Sequence, residues 1–195
     1  STYWAYGTNT SQNKNAAYGP QAAHVYTTAG TFTPTCVILD GSGNTTTWTG
    51  STITVSAWAE ADTIYVANGA TPSAGSNGVG SGATYANETA WAGVLARMAS
   101  GKRVRLRKGD TWTASASAGI SALTTAQIDS YGLSGANPIV NATYTSSGSR
   151  TISMSSSCSD VRISGLTFTR TVANTDDVSC IYGQYTGNLL VHNCD

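Results

Sequence analysis

Charged side chains are what this sequence has least of. Lys and Arg number 10, Asp and Glu number 10, and together they make up 10% of 195 residues, against about 25% in an ordinary globular chain. The formal net charge is zero. A chain with no basic excess has little to release counterions from phosphates, which excludes nucleic acid as a partner class. No apolar run approaches the roughly 20 residues of a membrane-spanning helix. Histidines number 2 and cysteines 4, and no two cysteines form a C-x-x-C pair, which argues against a structural zinc site. Apolar residues are not lacking: they make up 40% of the chain, so nothing in the composition keeps it open. What is plentiful is Ser, Thr and Gly. Such a surface predicts an all-β protein of strands and turns in an extracellular, cell-surface or virion setting.

The cysteines are Cys36, Cys158, Cys180 and Cys194. Cys180 and Cys194 fall in strand-like runs at positions expected to face inward. Buried free thiols are the expectation, with disulfides open to an extracellular chain.

Residues 1–55 read as short strands and turns. Val25 to Phe32, Thr35 to Leu39 and Thr45 to Val55 are rich in β-branched and aromatic residues, and Asp40-Gly41-Ser42-Gly43-Asn44 is a turn. This is the spacing of an antiparallel sandwich. The run from His24 through Phe32, then Val37-Ile38-Leu39-Asp40 and Ile53-Thr54-Val55, resembles the second half of a PKD-type immunoglobulin-like domain. Trp4-Ala5-Tyr6-Gly7-Thr8 matches that family's earlier Trp-x-Phe-Gly-Asp-Gly signature loosely: the aspartate is missing and Tyr replaces Phe. The resemblance implies a spacer or binding module, with Trp4, Tyr6, Tyr26 and Phe32 in its core and a structural place for His24.

Residues 56–61 read as a junction, and a different pattern fills 62–195. Thr63 to Val66 is a strand, and Asn68 to Thr84 a long glycine-rich loop without charge. Asn87 to Met98 is the one predicted helix, with Trp91, Val94, Leu95 and Met98 on a single face and Gly101 as its stop. Alternating strands follow around Val104 and Leu106, Ile128, Ile139, Ile152 and Met154, Val161 to Phe168, and Leu189 to Cys194. The last two segments superpose at an offset of 28, Val161 on Leu189 and Ile163 on Val191, and the same offset puts Ile152 on Cys180 and Met154 on Tyr182. A repeat of that length predicts stacked coils.

Several of these stretches occur in the order seen in right-handed parallel β-helix proteins of the pectate-lyase-like superfamily, which residues 62–195 resemble. They are Thr63 to Gly69, the helix, Arg105 to Trp112, Ile128 to Gly132 with Asn137-Pro138-Ile139, and Val161 to Phe168. The resemblance implies the cap and first coils of such a fold. That fold serves polysaccharide lyases, glycosidases, phage tailspikes and passive adhesins alike.

Candidate chemistry is sparse. Asp176 and Asp177 are the only adjacent carboxylates. They could offer hard oxygens to calcium, but neighbours on a strand point apart, so they make a poor catalytic acid pair; a solvated turn is the alternative. Lys102 to Lys108 holds five of the ten basic residues. Alternation puts Arg103, Arg105 and Arg107 on one face, where guanidinium forks suit the carboxylates of an anionic glycan; an ordinary charged outer face is the alternative. His192 lies opposite Val191 as a surface histidine. Four N-x-S/T sequons, at Asn9, Asn44, Asn87 and Asn141, are about what a chain so rich in Ser and Thr produces by chance.

The expected function is that of a segment of an extracellular glycan-interacting protein, a secreted lyase-like β-helix protein with its active site outside this chain. The competing reading is a virion fibre, spike or decoration protein with a non-catalytic β-helix. The expected partner is a polysaccharide or surface glycan; in the competing reading, which extends to other surface structural proteins, the chain binds surface glycans or only builds structure. The segment itself is expected to be catalytically inert, with weak, salt-sensitive glycan affinity through the arginine stripe. Its ends are expected to be completed by further chain or by copies in a homo-oligomer or larger assembly.

Overall fold

The computed structural model describes residues 26, 28–145, 148–155, 157–171, 179–184 and 187–195. It is mostly β and divides into two compact units, 1–57 and 58–195. Among the described residues no helix is long and apolar enough to cross a membrane.

In the first unit, β1 (Gly30–Phe32) pairs antiparallel with β4 (Ile53–Val55), and β2 (Thr35–Leu39) with β3 (Thr45–Thr49). The β2–β3 turn is fixed by Asp40, whose carboxylate accepts from the backbone N–H groups of Ser42 and Asn44, each at 2.8 Å. The Asn44 side-chain amide, which donates to Asp40 Oδ2 at 2.8 Å, and after it these backbone bonds favour the charged form and hold the Asp40 carboxyl below its ordinary value. The strand predicted over Thr45 to Val55 is two strands. Gly50 donates its N–H to the Pro34 carbonyl at 2.8 Å, one step beyond the Thr35–Thr49 pair where β3 ends, and the Trp48 ring lies so close that a Cβ at Gly50 would meet it at 2.5 Å. The run predicted from Val25 pairs only from Gly30 onward among the described residues. Tyr26 stacks on Phe32 at 4.5 Å between ring centroids. Trp4, Tyr6 and His24 lie outside the described residues.

The second unit is built on parallel pairing. A 3-10 turn, Glu60–Asp62, leads into β5 (Thr63–Ala67), followed by β6 (Thr84–Asn87), α1 (Trp91–Ala96) and β7 (Arg103–Arg107). From there the chain visits three sheets in rotation. β7, β8 (Thr111–Ala114) and β9 (Gly119–Ile120) make one coil. The next is β10 (Thr124–Tyr131), β11 (Ile139–Ala142) and β12 (Arg150–Met154), and the third is β13 (Ser159–Ser164), β14 (Thr167–Arg170) and β15 (Ser179–Gly183). β16 (Leu189–His192) opens a fourth. The three sheets have the orders β16-β13-β10-β7-β5-β6, β14-β11-β8 and β15-β12-β9, and among the described residues every strand pair in them is parallel. Each strand therefore lies on the strand one coil earlier, the arrangement expected of stacked coils and compatible with a β-helix.

Stacking builds the core. Val104, Ile128 and Ile163 form one inward column, and Trp112, Val140 and Phe168 another. All but Phe168 are fully buried, and Phe168 packs against the same core. The offset of 28 holds between β13 and β16, where Val161 pairs with Leu189 and Ile163 with Val191.

It fails between β12 and β15. There Ile152 pairs with Ile181 and Met154 with Gly183, one residue further on than expected. A one-residue slip in a strand exchanges its faces, so Ile181 packs inward and Cys180 is exposed. Cys158 is buried, Cys194 half-buried against the core and Cys36 exposed, and all four thiols are free.

The segment Val161 to Phe168 is two strands separated by a corner. Gly165 turns there with φ +62, and a Cβ on it would meet the Ser130 hydroxyl at 2.8 Å, so glycine is required twice over.

The helix is shorter than predicted. Asn87 ends β6, and its side chain accepts from the Gly69 N–H at 2.9 Å; Ala90 is extended and bridges to Thr113. Yet the whole stripe of Trp91, Val94, Leu95 and Met98 is buried. It packs on β8 and β9 of the first coil, and Trp91 donates its indole N–H to the Thr151 carbonyl at 2.7 Å. The helix thus closes the end of the stack.

Candidate functional site

The outer face of the six-stranded sheet carries the main concentration of charge and aromatic rings among the described residues. β7 alternates as read from the sequence, with Val104 and Leu106 buried and Arg103, Arg105 and Arg107 outside. Pairing then sets Arg103 beside Gln127, Arg105 beside Asp129 and Arg107 beside Tyr131, with Tyr65 of β5 on the other side of Arg105.

The three arginines are all engaged. Asp129, 7% exposed, accepts from Arg103 Nε at 3.0 Å, from Arg103 Nη2, from Arg105 Nε at 3.2 Å and from Gln127 Nε2 at 3.0 Å. Gln127 in turn accepts the Trp58 indole N–H at 2.8 Å. Arg105 also donates to the Ser130 carbonyl at 2.9 Å and lies 5.6 Å from the Tyr65 ring centre. Arg107 donates to Asp110 and to the Asn68 carbonyl. The structure therefore brings the predicted stripe together on one face and gives each guanidinium a carboxylate.

Asp176 and Asp177 lie outside the described residues. Among the described residues no group of His, Cys, Asp and Glu could hold a metal ion. His192 is half-buried on β16 beside Ser164. Burial pushes the Cys194 thiol up, which leaves little thiolate for nucleophilic chemistry.

Next to the arginines lies a cluster that the sequence reading missed. Tyr65, Val79 and Tyr131 form a second small core, with Ala83 and Tyr85 against it. The Tyr65 and Tyr131 rings meet edge to face at 5.0 Å. Tyr65 donates its hydroxyl to Glu60 at 3.1 Å, and Tyr85 to the Gly80 carbonyl at 2.6 Å.

The loop 68–83 covers this cluster, and of its residues only Val79 is buried. Asn77 pins it further by accepting the Leu133 N–H at 3.1 Å. Tyr131 is 2% exposed, and among the described residues its hydroxyl has no hydrogen-bond partner. Burial pushes that phenol from about 10 up to about 12, so it stays a neutral donor at physiological pH. An unmatched buried hydroxyl costs about 1–3 kcal/mol, much the same as the roughly 1.5–3 kcal/mol that burying Val79 contributes. The only trace of this cluster in the sequence is the shared outward phase of Tyr65 and Tyr131, which becomes visible once the coil spacing is known.

No known protein family, no curated protein and no solved structure matches this chain.

Proposed function

We propose that residues 58–195 are the capped beginning of a right-handed parallel β-helix of the pectate-lyase-like kind. Residues 1–57 belong in this reading to an immunoglobulin-like module of PKD type. The segment serves as a non-catalytic scaffold of an extracellular glycan-interacting protein. The observation that carries the reading is the rotation of the chain through three parallel sheets under a helical cap. Its support for a passive role is the arginine stripe itself. Arg103, Arg105 and Arg107 already answer Asp129 and Asp110, so none of these three guanidiniums is free to act on a substrate.

The test uses the 195-residue chain with immobilised polysaccharides, acidic and neutral. Retention without turnover is the expected result. Release of unsaturated uronates or new reducing ends would overturn the non-catalytic assignment. Failure to retain any polysaccharide would overturn the glycan assignment.

A further inference from the structure

We propose that loop 68–83 is a displaceable strap over a binding site for a neutral sugar, formed by Tyr65, Tyr85 and Tyr131 on the outer face of the six-stranded sheet. The proposal rests on the glycan reading and narrows it to one place and one class of sugar.

The strap is fixed lightly. It carries no charged residue, and it turns at positive φ at Gly69, Gly75, Asn77, Gly78 and Gly82. Its root is held at Asn68 by Arg107, Asp110 and Thr111 and at Gly69 by Asn87; beyond that root its one buried side chain is Val79, and its latches are the Tyr85 hydroxyl on Gly80 and the Asn77 amide on the 131–133 turn. Elsewhere the described outer face of β7 and β10 is guanidinium, carboxylate and amide. Under the strap it is aromatic.

Tyr65 and Tyr131 meet edge to face at 89°, with Tyr85 stacked on Tyr65 and the Arg105 guanidinium over the Tyr65 ring, so the surface that the strap covers is the rim of this ring cluster against Val79. The C–H face of a pyranose packs on such rings while its hydroxyls meet the polar groups around them. One of those polar groups is the buried Tyr131 hydroxyl, which has no acceptor among the described residues. A sugar hydroxyl or ring oxygen supplies one.

Charge decides the class. Arg105 and Arg107 flank the cluster but are matched by Asp129 and Asp110. A uronate carboxylate entering here would have to displace an existing ion pair, whereas a neutral hexose displaces only the strap.

The test titrates the full chain with cellohexaose, maltohexaose and mannohexaose, with hexagalacturonate as the acidic comparison. Binding of at least one neutral hexamer is expected, changing by no more than about twofold between low and high salt. Tyr131→Phe should weaken that binding about tenfold, through loss of one hydrogen bond in a dry site, yet raise the melting temperature of the free protein. Val79→Ser should strengthen it severalfold by loosening the strap, and saturating sugar should speed amide exchange across residues 73–82.

If polysaccharide is retained but neither substitution changes it, the site is wrong and the glycan reading stands. Binding of hexagalacturonate alone, or with a steep salt dependence, overturns the neutral class. If wild type and both variants bind no saccharide, both proposals fall.

Discussion

Asp129 shows how much one side chain can organise. It sits between two guanidiniums of the neighbouring strand β7 and the Gln127 amide of its own strand, and its side chain and those of both arginines are mostly shielded from solvent. Removing one member of a shielded group leaves the others desolvated and unmatched. Asp129→Ala should therefore cost about 2–4 kcal/mol in denaturant unfolding, well beyond the value of an exposed ion pair. Tyr131 gives a second prediction at this scale. Its phenol titrates near 10 when unfolded and about 12 when folded. Above pH 10 the unfolded chain has shed a proton that the folded chain still holds, so stability is complete below that point and falls as pH rises toward 12. In Tyr131→Phe this alkaline loss should be smaller. Backbone strain supplies a third. Thr125 is exposed and β-branched at φ 53, a region that suits Asn or Gly. Gly101 before it and Asp160 after it turn the same way at the corners in register. Thr125→Asn should raise stability by up to about 1 kcal/mol.

At the scale of elements, what the sequence made legible depended on whether the signal was local. The stripe Trp91, Val94, Leu95 and Met98 is a local pattern, and all four side chains are buried. The alternation of β7 is local too, and it placed three arginines outside. The helix ends were not legible. Asn87 has a better use in β6, bonding to Gly69, than as the first residue of a helix. Partners across the sheet were also hidden. Nothing in Arg105 or Asp129 alone says that they are neighbours, because the pairing is set by the length of the coil between them. Trp91 links the element to the stack, since its ring fills the closed end and its N–H reaches Thr151 in the second coil. Trp91→Ala should cost about 3–5 kcal/mol. It should also open the β8 and β9 amides to exchange before those of β13.

Across the whole second unit, the coils differ in length at some corners and not at others. On the second sheet the spacing is constant: Trp112, Val140 and Phe168 are each 28 residues apart. On the first sheet Val104 pairs with Ile128 and Ile128 with Ile163, spacings of 24 and 35. A single repeat length therefore found one coil and misplaced Cys180 in its neighbour, because register is carried by the strands while the corners absorb the variation. The corners themselves should respond to insertion in opposite ways. Between β10 and β11 the chain crosses 132–138, with residues 133–136 exposed. Between β13 and β14 only Gly165 and Leu166 intervene, and Leu166 is fully buried. Adding Gly-Ser between Ser134 and Gly135 lengthens a solvated loop, whose closure entropy grows slowly with length, and should change stability by no more than about 1 kcal/mol. One Ala added between Gly165 and Leu166 has no slack to enter. Either Leu166 leaves the core or β14 slips by one residue and turns Phe168 outward. That variant should lose at least about 3 kcal/mol in denaturant unfolding. Equal tolerance of the two insertions would mean that the stack is not held by strand register.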